Sequence, residues 1–142
     1  MRWLTALVML ALPTAAASSD FQVVKATVPL APPTAMAHAA YFEITNTGDR
    51  ARHLIGVSAP GYAMVHMHLS EEKDGVATMS SVDLVELAPG QTVVFAHGGL
   101  HVMLMRPDGP LAEGDTVELG LEFADGETVP VVAEVAKPHY GH

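Results

Sequence analysis

Residues 64–69 read Met64-Val65-His66-Met67-His68-Leu69, and residues 100–105 read Leu100-His101-Val102-Met103-Leu104-Met105. Side chains alternate between the two faces of a β-strand, so a period of two sorts each stretch into two sets. In the first, Val65, Met67 and Leu69 form a core face, leaving Met64, His66 and His68 opposite. In the second, Val102 and Leu104 turn inward, and His101, Met103 and Met105 share the other side. Outward from these two stretches, short Val-rich runs repeat without the i, i+3, i+4, i+7 stripe of a helix. The expected strands are Phe21–Val28, Ala40–Asn46, His53–Val57, Tyr62–Leu69, Val76–Leu84, Thr92–Ala96, Leu100–Arg106, Thr116–Phe123 and Val129–Ala136. Turn chemistry separates them at Asn46-Thr47-Gly48-Asp49, Asp74-Gly75, Pro89-Gly90, Pro107-Asp108-Gly109 and Asp125-Gly126, and Pro29 to Pro33 reads as a loop. Eight or nine such strands predict an all-β single domain, an antiparallel β-sandwich of two packed sheets.

The rest of the chain bounds the function. It has 142 residues, 49% apolar and 16% charged, enough for one domain with its own core. A formal charge of −9 repels nucleic acid and anionic lipid surfaces, so nucleic-acid binding and peripheral membrane binding drop out. No cysteine is present, which removes disulfides, thiolate zinc sites, thiol catalysis and the Cys-ligated blue-copper centre. Residues 1–17 read as a cleaved signal peptide: Arg2, an apolar run from Trp3 to Leu12, then Ala15-Ala16-Ala17. That run is too short to span a bilayer, so no stable membrane insertion is expected. The domain proper is expected over residues 18–136, in the periplasm. Residues 137–142 lose the alternation and form a flexible tail containing His139 and His142.

Eight His and eight Met are the informative residues. A hairpin near Lys73-Asp74 returns Met79 to the side of His68, while His101 and Met103 point to one target from the other strand. Thioether sulfur is soft and uncharged, a poor ligand for calcium, magnesium or zinc, and imidazole is borderline. His68, Met79, His101 and Met103 together select Cu(I). No Gly-x-Ser-x-Gly elbow, His-Glu-x-x-His helix or phosphate-binding glycine loop accompanies them, so a binding module is favoured over an enzyme.

The four positions follow His-x10-Met-x21-His-x-Met, and in that spacing the chain closely resembles the PCuAC-type periplasmic copper chaperones. Flanking text agrees: Ala39-Ala40-Tyr41-Phe42 through Asn46, Asp74-Gly75-Val76, Pro89-Gly90, and Gly98-Gly99 before Leu100. The likeness covers about residues 20–136. It implies a cupredoxin-like β-sandwich that binds one Cu(I) near its surface and delivers it to an acceptor. That acceptor is expected to be a cytochrome c oxidase subunit, often reached beside a Sco-type protein. Storage or resistance without dedicated delivery is the alternative, and a copper-dependent redox enzyme is a weaker one.

The other soft donors get plainer readings. His66 and Met105 share the ligand faces but stand outside the spacing, and are expected to support the site or face solvent. Met64 is expected at an apolar rim and Met67 in the core. Met36 and His38 are placed in the Pro-rich loop, His53 in solvent and His97 in a turn. A His-bearing tail is the simpler reading of His139 and His142; a Cu(II) site using them, with Glu71 or Glu72, is the alternative.

Overall fold

The structure is a computed structural model that describes residues 20–138. The expected signal peptide and the tail histidines His139 and His142 lie outside the described residues. Every regular element among the described residues is a strand: β1 (Phe21–Pro29), β2 (Ala37–Asn46), β3 (Arg52–Ser58), β4 (Tyr62–Lys73), β5 (Val76–Val82), β6 (Val85–Leu87), β7 (Thr92–Phe95), β8 (Leu100–Pro107), β9 (Thr116–Phe123) and β10 (Thr128–Ala136). Alternation drives them. β2 and β10 bury every second residue along nearly their whole length, the signature of a ladder with one wet face.

The all-β, cupredoxin-like expectation holds, with finer differences. Instead of two purely antiparallel sheets, the strands join in one ladder ordered β5-β4-β8-β7-β2-β1-β10-β9-β3-β6. Two neighbouring pairs, β1–β10 and β7–β8, run parallel. β3 nonetheless touches β4 from near the opposite end of that order, so the ribbon curls back on itself. Its concave side holds one core that includes Val28, Phe42, Phe95, Leu104, Leu121 and Phe123. Phe42 stacks on Phe95 at 4.5 Å and Phe21 on Phe123 at 4.1 Å, each pair worth about 0.5–1.5 kcal/mol beyond its burial. β6 is an additional strand, where Val85 and Leu87 drop into the core against β3.

The Pro-rich loop is shorter than expected. β1 continues through Pro29, tolerable at a strand end because no ladder donor is needed there. β2 begins at Ala37, so His38 is a strand residue and not a loop residue. Nothing between Ala37 and Ala40 has turn chemistry, and pairing with β8 extends the ladder over all four.

One step in the chain positions the site. β2 pairs with β7 along Phe42–Thr45 and with β8 along Ala37–Ala40. β7 and β8 therefore lie end to end against one strand, and the residues between them step out of line opposite Tyr41. Gly98, at φ 83°, supplies the left-handed turn of that step. His101 is the second residue of β8, which follows it.

Candidate metal centre

β8 lies between β4 and the first half of β2, and the register decides what its outer face meets. His68 stands directly across from His101, His66 across from Met103, and Met64 across from Met105. On the other side Ala39 faces Met103 and Ala37 faces Met105. The thioethers of β8 thus have methyl-sized neighbours on one flank and imidazoles or a further thioether on the other. Directly opposed Cβ atoms sit about 4.5–5.5 Å apart, within reach of one shared ion.

Met79 arrives through the expected hairpin, but the turn falls one residue later than Lys73-Asp74, so Met79 stands across from Ser70 and not from His68. β4 runs on to Lys73, and Asp74 and Gly75, with φ of 53° and 78°, form the two-residue turn. Both central residues have the positive φ that matches the twist of a tight hairpin. The return strand pairs Met79 with Ser70 and Ser81 with His68. Met79 is consequently diagonal to His68 on the same face, and its Sδ lies 3.2 Å from His68 Nδ1.

The two imidazoles differ in setting. The rings of His68 and His101 meet edge to face, centroids 5.9 Å apart. His101 is 5% exposed, and its Nδ1–H donates to the carbonyl of Gly99 at 3.0 Å. That bond fixes the tautomer and leaves the Nε2 lone pair for a metal. The Gly98-Gly99 step therefore orients a ring as well as turning the chain, a role that spacing alone does not reveal. Burial holds the His68 imidazolium below its usual pKa, and positive charge on His101 or His66 would lower it further. A neutral imidazole is the form that ligates.

Met79 is 57% exposed, so the group runs from a buried ring to an open sulfur. Among the described residues no cluster of three or more His, Cys, Asp or Glu is arranged to hold a metal. The groups that meet at this face are imidazoles and thioethers, a donor set softer than hard cations prefer and suited to Cu(I). A concavity of about 520 Å³ opens beside β2 and is lined by Pro29, Leu30, Tyr41, His97 and Lys137, among others. None of His68, Met79, His101 and Met103 lines it. A bare ion needs converging donors more than volume, so the donor face is the better candidate.

The remaining histidines separate cleanly. His66 lies on the donor face, its ring parallel to that of His68 at 6.1 Å. His38 points to the core side, bonded through Nδ1 to the Tyr62 hydroxyl at 2.8 Å, and burial lowers its pKa. It belongs to packing. His53 sits 3.8 Å from Glu86 at the surface, and His97 is an exposed turn residue, as expected.

Residues 21–135 match the model of a family described as "Putative lipoprotein LpqE-like". The chain belongs to the LpqE-like family. A curated relative, "Putative lipoprotein Lxx21020" of Leifsonia xyli subsp. xyli, is 32% identical over 98 residues. That alignment covers 68% of this chain and 59% of the relative, so this LpqE-like chain spans less than two thirds of that protein's length. Among solved structures, the apo PCuAC domain of PmoF1 superposes with a TM-score of 0.70 at 22% identity, covering 84% of this chain and 95% of that one. It establishes the PCuAC fold. The solution structure of the Cu(I) form of DR1885 from Deinococcus radiodurans is 32% identical, with a TM-score of 0.63 over 91% of this chain and 82% of its own. No helix among the described residues is long and apolar enough to cross a membrane.

Proposed function

We propose that this chain is an exported copper carrier that holds one Cu(I) between His68, Met79, His101 and Met103 and passes it to an acceptor by ligand exchange. The observation that carries the reading is the position of His68. Its ring lies 3.2 Å from the Met79 sulfur and edge-on to His101, although the three residues come from three strands. Met103 adds the fourth donor from the face of β8 that carries His101. The Cu(I) form of DR1885, a relative by sequence as well as by fold, supports the choice of ion and oxidation state.

Two neutral imidazoles and two neutral thioethers leave the complex with one positive charge, which favours a half-exposed site over a buried one. Exposure of Met79 supplies that and offers an incoming ligand a sulfur to displace. Four ligands fill the shell of a d¹⁰ ion and leave no open water position, so binding and transfer are the activity, not catalysis. On this reading residues 1–17 direct export to the periplasm, residues 18–136 carry copper and residues 137–142 form the tail. The resemblance to PCuAC chaperones points to cytochrome c oxidase as the destination, with a Sco-type thiol protein as a companion.

X-ray absorption on the reduced, copper-loaded protein tests the site. Two nitrogen and two sulfur neighbours are expected at one copper per chain. An oxygen-rich shell, or nitrogen without sulfur, overturns the assignment. Transfer from the loaded chain to a soluble copper-accepting fragment of the oxidase then separates delivery from storage.

A further inference from the structure

The donor face does not end at the four proposed ligands. Along the β4–β8 ladder it continues from the His68/His101 pair to His66/Met103 and then to Met64/Met105. The last pair stands four residues along each strand from His68 and His101, with Met64 43% exposed. Ala37, across β8 from Met105, adds only a methyl group and leaves the sulfur side open. We infer that Met64 and Met105, with the imidazole of His66, form a second, outer station for a soft monovalent cation.

The chemistry follows from the register. Directly opposed Met residues place two flexible thioethers over the same point of the sheet, and His66 is diagonal to Met105 on the same face. Two sulfurs and one nitrogen suit a d¹⁰ ion, which accepts low coordination numbers and prefers soft donors. With no donor buried as deeply as His101, this station is the weaker one and exchanges faster. Met103, a donor of the first station, is next to Met105 on the same face of β8 and is placed to hand the ion across. That relay role rests on the four-donor reading above; the existence of the outer station does not.

Ag(I), which does not change oxidation state here, is the probe. Native mass spectrometry with competing chelators should count two Ag(I) on the chain, the second bound at least about tenfold more weakly than the first. Carbon-13-labelled Met methyls report where each ion lands: the second equivalent should move Met64 and Met105. The Met64→Leu/Met105→Leu variant conserves volume and should fold normally. It should lose only the second Ag(I) and keep the first within about threefold. The Met79→Leu/His101→Ala variant should retain one weakly held ion that moves the Met64 and Met105 methyls. That result sustains the outer station even if the four-donor site fails in its own test. Saturation of the unaltered chain without movement of Met64 and Met105, or a second ion that persists in the Met64→Leu/Met105→Leu variant, overturns the inference.

Discussion

The molecule carries two unusual polar clusters, and they are built in opposite ways. At one, Arg52 is 5% exposed and fully engaged: Asp20 at 3.2 Å, Asp125 and Glu127 each at 2.6 Å, with the guanidinium 4.7 Å above the Phe21 ring and 5.5 Å from that of Phe123. Beside it Asn46, with no exposure, donates to the carbonyls of Arg50 and Leu87 and accepts from the amide of Gly48. These groups tie the start of β1 and the β9–β10 turn to β3, and among the described residues no buried side-chain nitrogen or oxygen is left without a partner. At the other cluster, His68, His66, Met79, Met103, Met64 and Met105 present lone pairs on sulfur and nitrogen, softer and mostly outward. A saturated polar cluster stabilises a fold. A cluster rich in soft donors with few hydrogen bonds among them is poised for an ion from outside.

That contrast is broken most directly at the donor face. Replacing His101 and Met103 together by Ala should lower Cu(I) affinity by more than the roughly 10–100-fold that loss of an orienting partner costs, because two ligands themselves disappear. Loss of the buried His101 ring also lowers the melting temperature, and the metal-free variant gives that share alone. Chelator competition and a thermal melt on the same sample check both, and full affinity in the double variant rules out this face. The mirror experiment is Arg52→Met, which keeps much of the side-chain volume but takes the guanidinium away from Asp20 and Glu127 and leaves Asp125 with Arg50 at 3.8 Å. Removing one partner of a buried ion pair costs about 3–5 kcal/mol because a buried charge is left uncompensated; here the carboxylates left behind are half exposed and regain water, so the loss should fall below that range, at about 1–2 kcal/mol. Denaturant unfolding should show that loss while the folded variant still binds Cu(I) as tightly as before.

The two clusters were unequally legible in the sequence. Alternation in Met64–Leu69 and Leu100–Met105 sorts the donors onto one face, and Asp74-Gly75 announces the hairpin that returns Met79. Both signals are local, and local order decides them. The cross-strand match of His66 to Met103 and of Met64 to Met105 needs the register between strands more than thirty residues apart, which no local period encodes. Arg52 is harder still. Its partners Asp20, Asp125 and Glu127 lie far from it in the chain, and an Arg among charged neighbours reads as surface. His38 shows the same limit from the other side: a polar residue after a Pro-rich run reads as loop, yet the ladder with β8 draws it into a strand and Tyr62 satisfies its ring.

Acid should take the two clusters apart in sequence. His38 and His68 have native pKa values held below the usual 6.5, chiefly by burial. The unfolded chain therefore binds protons first as pH falls, and stability declines through the window between 6.5 and the lowered native values, being whole above it. Copper competes with the same protons at His68, so Cu(I) release should begin below about pH 5.5. The Arg52 cluster responds later. The Asp125 carboxylate is held below its usual 3.8, first by the amide of Glu127 and then by the charges of Arg52 and Arg50. Its contribution is complete above 3.8 and disappears as pH drops through the lower native value. Copper occupancy and thermal stability followed from pH 7 to pH 3 should give two separated steps, copper first. A single concerted loss would join the two clusters into one cooperative unit.

The smallest effect tests whether the donor face depends on local geometry alone. Gly75 has φ of 78°, and a Cβ there would meet nothing within 4 Å, so the cost of a substitution is backbone strain without collision. Gly75→Val forces a β-branched residue into the left-handed region at about 1–2 kcal/mol, whereas Gly75→Asn adopts that region more readily and serves as the control. β5 is an edge strand with every residue but Val82 exposed, so strain at its turn is relieved by local opening of the hairpin and leaves the core intact. Thermal stability should fall only slightly. Hydrogen exchange should quicken at the β4–β5 ladder amides and stay unchanged in β9 and β10. Because Met79 reaches His68 only through that hairpin, Cu(I) affinity should drop by roughly two- to tenfold in Gly75→Val and recover in Gly75→Asn. Fraying of β5 with no change in affinity would remove Met79 from the ligand set and leave its contact with His68 a matter of packing.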